Sequence, residues 1–368
     1  KDAGYTIFYM GINSGAFLGI LLCGYIGEKI GWHYGFGLAG IFMFFGMLQF
    51  YYAQMIFGSI GIIEDSSSDK NEKLVQSTIK NNSSSKIIYD RLKVIVIFSF
   101  CVIFFWWAFE QAGGSMTIFA SDYTNRILDG SGALIFKIFN SLITVVPMII
   151  ISYIVYLLCV NTFSVFKLSS LFLISSFFII WLIIVWMLLR EFNNQTTEVP
   201  ASWYGILNSF FIIVFAPLFS KIWQSRYNIS GPHKFGVGLI LLAIGFGILS
   251  YGSIEIPLGA KTASVSMIFL ILAYFFHTMG ELCISPVGLS YVSKLAPKNL
   301  VGLMFGVWFV ANFIANTAAG LTGSYIDPIV ENYGMSVFFL IFTLIPTGAG
   351  LLMIFANNKI VKMMHGIN

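Results

Sequence analysis

Two glutamates, Glu110 and Glu281, lie in stretches of the chain that are otherwise apolar. Glu110 ends the segment FWWAFE, and Glu281 lies in the segment HTMGEL. A carboxyl group in apolar surroundings loses its hydration, so it faces a polar cavity, finds a partner or takes up a proton. His277 precedes Glu281 by four residues, which places both side chains on one face of a helix. These three side chains could exchange or relay protons.

Other interpretations of the same three residues stay open. Each glutamate could be a protonated, hydrogen-bonded packing residue, and His277 could simply fill space. Glu110 and Glu281 could also be the acid and base of an enzyme, but the chain contains no GxSxG or HExxH motif. The four cysteines lie in apolar runs without a CxxC pair, which indicates buried thiols rather than metal ligands. We therefore predict no catalytic residue and no metal site.

The composition identifies the kind of molecule that positions these residues. Of 368 residues, 58% are hydrophobic and only 10% are charged, whereas a soluble domain is about 25% charged. Long apolar runs indicate membrane-spanning helices rather than the short alternating strands of a β-barrel. The net charge of +4 comes without a basic tract, so nucleic acid is excluded as a partner. We predict an all-α integral membrane protein with the lipid bilayer as its surroundings.

Apolar runs of about 20 residues predict ten membrane spans. They lie near residues 5–27, 34–57, 93–113, 137–159, 165–189, 203–224, 235–252, 265–287, 301–324 and 335–356. The one long polar connection, residues 59–92, is rich in serine and charge and is predicted to be a linker between two membrane blocks.

The distribution of lysine and arginine predicts the orientation. Fifteen of them fall on the side of the first residue and the linker, and five fall on the other side. Because cytoplasmic loops carry the excess of positive charge, both termini and the linker are predicted to be cytoplasmic. An even number of spans is needed to keep the charges separated in this way.

Three stretches carry the motifs of a known family. They are residues 4–15 (GYTIFYMGINSG), residues 106–111 (WWAFEQ), and residues 280–290 (GELCISPVGLS) continuing to 306–309 (GVWF). These resemble the fifth helix, the seventh helix, and the tenth and eleventh helices of the proton-dependent oligopeptide transporters, the peptide branch of the major facilitator superfamily. The resemblance implies a major-facilitator-type helical bundle from which the first four helices of the family are missing.

The same resemblance implies a division of the chain. The predicted parts are residues 1–58, the last two helices of the N-terminal bundle; 59–92, the cytoplasmic linker; 93–136, the first helix of the C-terminal bundle and its loop; 137–189, two extra helices; and 190–368, the remaining five helices and a short tail.

The resemblance also implies a function: symport of di- and tripeptides with protons across the bacterial plasma membrane, by alternating access. Glu110, Glu281 and His277 would take part in proton coupling. The residues expected to bind the peptide are Tyr9, Asn13, Trp106, Asn208, Glu281, Ser285, Trp308 and Phe309. No cofactor is expected, and the complete transporter is expected to be a monomer.

Two departures from the family pattern bear on this expectation. Gly205 and Ser209 stand where glutamine and proline are expected, so substrate contacts near Asn208 could differ. The ExxER motif and the fourth-helix lysine of the family, which supply cations for the carboxyl groups, are absent from the printed chain. We therefore expect a fragment of a transporter, with a remnant that does not transport as the alternative.

Overall fold

The structure is a computed structural model that describes residues 2–58, 82–225 and 228–367, with side chains from residue 11 in the first range and residue 86 in the second. Nine helices within these ranges are long and apolar enough to cross a membrane. They are Trp32–Phe57, Lys86–Tyr123, Gly130–Thr162, Lys167–Asn193, Trp203–Gln224, Gly231–Gly252, Ile268–Leu295, Val301–Ser324 and Met335–Met363. The chain is a multi-pass, all-α membrane protein, as predicted.

The regular elements follow one another in this order within the described residues. They are α1 (Asp2–Gly19), α2 (Tyr25–Lys29), α3 (Trp32–Ala53), α4 (Asn82–Phe109), α5 (Ser115–Ile118), β1 (Ile127–Leu128), α6 (Gly130–Thr162), α7 (Lys167–Asn193), β2 (Thr197–Glu198), α8 (Trp203–Gln224), α9 (Gly231–Gly252), α10 (Ile268–Leu295), α11 (Val301–Ser324), α12 (Ile326–Tyr333) and α13 (Met335–Met363). A π-helical turn, Ile20–Gly24, joins α1 to α2.

The last nine predicted spans each coincide with one of the nine apolar helices. The first predicted span, residues 5–27, overlaps α1, the π-helical turn and α2. The side chains of residues 1–10 lie outside the described residues, so the crossing by this segment stays a prediction.

The first of two compact units consists of the described residues up to 58 together with Arg126–Phe210. Its core joins the π-helical turn to α6 and α7 through Leu22, Met148, Ile180 and Ile184. The short strands β1 and β2 pair antiparallel, with Ile127 opposite Glu198. The pairing closes the connections that precede α6 and follow α7.

The second unit consists of the described residues of 82–125 and 211–367. Here α9 packs against both α10 and α13, and glycines allow the close approach. A Cβ atom at Gly280 would lie 2.6 Å from the carbonyl oxygen of Gly238, so only glycine fits there. Small residues serve helix contacts in membranes because lipid provides little hydrophobic drive for helices to associate.

The packing groups the predicted extra helices, α6 and α7, with α3 in the first unit. Helix α8 begins in the first unit and continues into the second from Phe211 onward. The five-part division expected from the family resemblance stays a prediction.

Candidate functional site

Helix α10 carries three of the predicted site residues as a single stripe. His277, Glu281 and Ser285 follow one another at intervals of four residues within α10, so they lie one above another along the helix. The Glu281 side chain is only 9% exposed, which confirms that this carboxyl group is buried. The hydroxyl of Ser285 is also buried, and it has no hydrogen-bond partner among the described residues. Helix α10 therefore holds a column of polar groups in an apolar unit.

The imidazole of His277 is 1% exposed and lies among aromatic rings. Its ring centroid is 4.4 Å from that of Phe246 on α9 and 6.4 Å from that of Phe109 at the end of α4. Neither ring nitrogen completes a hydrogen bond within the described part of the chain, although the Leu242 backbone lies nearby. The side chain thus joins three helices by packing, and its role in a proton relay stays a prediction.

Glu110 lies where α4 ends and a 3₁₀ turn, Glu110–Gly113, begins. Its side chain is exposed, so of the two glutamates in apolar stretches Glu281 is buried and Glu110 is not. Phe109, its neighbour, contacts His277, so Glu110 is one residue removed from the α10 stripe.

The aromatic residues predicted to shape the peptide pocket occupy different environments. Trp106 is partly buried and packs edge-to-face on Phe105 and Phe109. Trp308 on α11 is 4% exposed, and a Cβ atom at Gly288 would lie 2.2 Å from its ring. Phe309, the next residue, is 62% exposed. Trp308 is therefore locked against α10 in the second unit, whereas Phe309 is accessible.

The remaining predicted site residues belong to the first unit. Asn13 on α1 and Asn208 on α8 are both partly exposed. The side chain of Tyr9 lies outside the described residues. The structure thus brings Trp106, His277, Glu281, Ser285 and Trp308 together on neighbouring helices of one unit, and it places Asn13 and Asn208 in the other.

One polar network near Glu110 was missed in the sequence. The buried amide of Gln111 donates from Nε2 to the carbonyl oxygen of Ala319 (3.2 Å) and accepts from the hydroxyl of Ser115 (2.7 Å). The neighbouring indole of Trp107 donates to Oγ1 of Thr322 (2.9 Å). These bonds tie the irregular end of α4 to α11. The pair Glu110-Gln111 could have signalled this, since an amide beside a carboxyl in an apolar run must also find partners.

A second network, around the end of α2 and strand β2 in the first unit, was also missed. The Glu28 carboxylate accepts hydrogen bonds from the backbone N–H groups of Ala201 and Ser202, each 2.7 Å long. Glu198 forms ion pairs with Lys29 (2.9 Å) and Arg126 (3.1 Å). The sequence interpretation used Lys29 and Arg126 for orientation alone, because no motif marks residues that meet only after folding.

The charge on Glu198 is stabilised by this network. The hydrogen bond from Lys29 is the main cause that lowers the pKa of Glu198, and the charge of Arg126 adds to it, although partial burial acts in the opposite direction. The side chain is 49% exposed, so solvent screens the interaction and limits its contribution to stability.

No group of three or more His, Cys, Asp and Glu side chains that could hold a metal ion occurs among the residues described. The predicted site residues offer carboxyl groups, an imidazole, hydroxyls, amides and aromatic rings. Such groups can bind a polar organic molecule and exchange protons with it or with solvent.

Comparison with known proteins places these features in a family. Residues 1–92 and 174–336 match the PTR2 family, described as the POT family. The matched ranges include Asn13, Asn208 and the α10 stripe. Residues 93–173, which contain Trp106 and Glu110, lie outside them.

Several bacterial proteins are similar in sequence. A peptide transporter of Yersinia enterocolitica is 26% identical over 89% of this chain and 62% of its own length. A di-/tripeptide transporter of Lactococcus lactis subsp. cremoris is 26% identical over the full chain and 70% of its own length. Dipeptide and tripeptide permease A of Escherichia coli is 25% identical over 90% of this chain and 62% of its own length. The chain thus spans about two thirds of the relatives' length.

Solved structures show the same fold. A peptide transporter POT in complex with sulfate superposes with a TM-score of 0.65, at 23% identity, over 99% of this chain and 69% of that one. A POT family transporter in complex with a thioalcohol-conjugated peptide gives a TM-score of 0.66, at 20% identity, over 98% of this chain and 69% of that one.

Proposed function

The chain belongs to the POT family, and from that premise we propose that it is part of a symporter that moves di- and tripeptides together with protons. The transport activity is proposed for the longer protein, because this chain covers only 62% to 70% of the length of the peptide transporters described above. The observation that carries the proposal is the family match over α10, where the buried Glu281 is the centre of a polar stripe.

Proton coupling is proposed for Glu281, Glu110 and His277. A buried carboxyl group such as Glu281 gains stability when it is neutralised by a proton or by a cation. The ammonium group of a peptide could therefore compete with a proton for this carboxylate, which links the two movements. Glu110 is accessible and would exchange protons with water. Phe109, the neighbour of Glu110, packs against His277 of the stripe.

Peptide binding is proposed for the polar and aromatic residues around the same stripe. Ser285 has a hydroxyl in need of a partner, and Phe309 offers an accessible ring. Amides such as Asn13 and Asn208 suit the peptide backbone, and aromatic rings accept many kinds of side chain. The proposed set also contains Tyr9, Trp106 and Trp308.

The proposal includes a location and a mode of action. The protein crosses the membrane several times, and we propose the bacterial plasma membrane with both termini in the cytoplasm. Transport would proceed by alternating access of one central site to the two sides. It would use the proton gradient without a cofactor, in a monomeric transporter.

Uptake of a labelled dipeptide by the full-length parent protein in liposomes tests the proposal. An inward proton gradient should drive accumulation above equilibrium, and a protonophore should remove it. The control is the same liposome with equal pH on both sides, where uptake should stop at equilibration. Accumulation that is indifferent to the proton gradient would contradict proton coupling.

The 368-residue chain alone is expected not to transport. A family member with alternating access needs both helical bundles, and this chain spans about two thirds of its relatives. The measurement is uptake of the labelled dipeptide by liposomes that contain equal amounts of either the 368-residue chain or its full-length parent. Robust gradient-driven uptake by the chain alone would contradict this expectation. None of the observations favours the alternative of a membrane enzyme that uses Glu110 and Glu281.

A further inference from the structure

A charged cavity lies in the first unit, away from the α10 stripe. Its volume is about 380 Å³, within the range of small-molecule sites. It opens between the ends of α2 and α7 and the segment that leads to β2. Lys29, Arg190, Glu191, Asn194 and Glu198 are among its lining residues. Arg190 and Glu191 take no part in the ion pairs of Glu198.

Glu191 supplies a buried negative charge. The residue is 7% exposed, and the hydroxyl of Tyr25 donates to its Oε1 at 2.6 Å. No lysine or arginine nitrogen lies within 4.0 Å of its carboxylate in the described part of the chain. A buried carboxylate is costly unless it is paired. One hydrogen bond from a tyrosine only partly satisfies it, so the cavity offers a fixed site for a cation.

Arg190 supplies the positive charge. Its guanidinium stacks over the ring of Trp186 at 5.5 Å and donates to the carbonyl oxygen of Lys29 at 3.4 Å. Among the described residues it forms no ion pair with a carboxylate. A guanidinium held in this way retains donors for a carboxylate.

The other charges of the cavity are already paired. Lys29 binds Glu198, and Arg126 binds the same carboxylate from the other side. The rim is also fixed, because the buried ammonium of Lys137 donates to the carbonyl oxygen of Asn194 at 2.5 Å. What remains unpaired is one negative charge on Glu191 and one positive charge on Arg190, both facing one preformed cavity.

We propose that this cavity binds a small zwitterion, with its ammonium group at Glu191 and its carboxylate group at Arg190. Two extended residues span at most about 7 Å, so a dipeptide fits a cavity of about 380 Å³. The charge pattern alone indicates a zwitterion. The further step, that the zwitterion is a short peptide, rests on the proposed function. By the predicted orientation the cavity faces the outside of the cell, where peptides arrive.

A ligand with a single charge suits the cavity less well. An anion at Arg190 would leave the buried carboxylate of Glu191 without a cation, and a cation at Glu191 would leave the guanidinium of Arg190 without an anion. Only a molecule that carries both charges satisfies both residues together. This requirement separates the site from a general anion site.

Binding of alanylalanine to the 368-residue chain in lipid nanodiscs tests the proposal, alongside its N-acetylated and C-amidated forms. The location is read from protection of the backbone of residues 194–202 against hydrogen exchange. Trp186 fluorescence provides a second signal, since this ring lies under Arg190. We expect protection with the dipeptide and at least tenfold weaker binding of each blocked form at this segment. Equal binding of a blocked form would overturn the zwitterion assignment.

Substitutions of the two proposed binding residues distinguish a loss of binding from a loss of folding. Arg190→Gln and Glu191→Gln should each weaken dipeptide binding at this segment at least tenfold. Glu255→Gln, at an exposed site in the second unit, should leave it unchanged. Arg190 is only partly buried, so Arg190→Gln should keep the unfolding midpoint of the unsubstituted chain. If Glu191→Gln fails to fold, the binding result of Arg190→Gln alone tests the proposal. Unchanged protection in a folded Arg190→Gln chain would overturn the proposal.

The outcome is distinguishable from that of the proposed function. Loss of gradient-driven uptake in the parent protein with intact protection at residues 194–202 would contradict symport and leave this site standing. Gradient-driven uptake together with absent protection at residues 194–202 would support symport and contradict the proposed cavity site. Protection that moves to α10 and is missing from residues 194–202 would also count against the cavity.

Discussion

The imidazole of His277 occupies the volume that a side chain at Gly245 would need. A Cβ atom placed on Gly245 would lie 2.5 Å from Cδ2 and 2.6 Å from Nε2 of His277, and 3.0 Å from the carbonyl oxygen of Ala273. The close approach of α9 and α10 is thus built around one glycine on α9 and one buried ring on α10. The residue with the proposed proton role is therefore also a packing element of its unit.

Substitution of Gly245 by alanine should destabilise the chain. The new methyl group meets a ring that is fixed by Phe246 rather than the flexible end of a side chain, and overpacking of this kind costs about 1–3 kcal/mol. The midpoint of thermal unfolding in detergent is the measurement. Gly247→Ala on the same helix is the matched control, because its Cβ would lie 3.5 Å from the nearest atom of Thr343, an ordinary contact.

A double variant identifies the clash as the cause. His277→Ala removes the ring, so the added cost of Gly245→Ala should largely disappear in the His277→Ala background. If Gly245→Ala lowers the unfolding midpoint equally with and without the His277 ring, a clash with that ring is not the cause of the destabilisation.

Substitution of Glu281 by glutamine in the full-length parent should abolish concentrative uptake. Glutamine keeps the size of the buried side chain, but it carries no negative charge. It can neither take up and release a proton nor form an ion pair with an ammonium group. Accumulation of a labelled dipeptide under an inward proton gradient is the measurement. Glu331→Gln, at an exposed position on α12, is the control and should accumulate peptide normally. Undiminished accumulation by Glu281→Gln would remove this residue from the coupling mechanism.

Substitution of Gly288 by alanine should displace Trp308. A Cβ atom there would lie 2.2 Å from the indole, so the ring must move or the helices must separate. We expect a lower unfolding midpoint and, in the parent protein, reduced dipeptide uptake. Gly306→Ala on α11 is the control, since its Cβ would have no heavy atom within 4 Å. Wild-type behaviour of both variants would show that the ring of Trp308 is not held by Gly288.

The ion pairs of Glu198 should make stability depend on acidity. The pKa of this carboxyl is lowered in the folded chain, chiefly by Lys29, so its contribution is present above the unfolded value of about 4.5 and is lost as the pH falls further. Because the group is half exposed, the contribution is at most about 1 kcal/mol. Unfolding midpoints of the unsubstituted chain and of Glu198→Gln should differ at pH 7, and the difference should shrink as the pH is lowered below 4.5. Glu255→Gln should not differ from the parent chain at either pH.

The spans and the family could be predicted from the sequence because both depend on local properties. A run of about 20 apolar residues must form a helix in hydrocarbon, since every backbone group needs a partner within the segment. The signature around Asn13 and the stripe from His277 to Ser285 follow from residue order and helical spacing. Nine of the ten predicted spans therefore coincide with apolar helices of the structure.

Burial of individual side chains could not be predicted in the same way. Trp308 and Phe309 are neighbours of similar character, yet one is buried and the other is exposed. In a membrane helix both the lipid side and the core side are apolar, so the pattern of hydrophobic residues does not reveal which side faces the protein. Glu110 and Glu281 both lie in apolar stretches, yet the first is exposed and the second is buried.

The sequence by itself determined a helical membrane protein of the POT family with two functional glutamates as candidates. Only the tertiary structure decided which charges meet. Tyr25 and Glu191 lie far apart in the chain and form a hydrogen bond, and the cavity beside them has no sequence motif. The physical reason is that apolar length and helical spacing act within one segment, whereas electrostatic pairing depends on distances between segments that exist only in the folded chain.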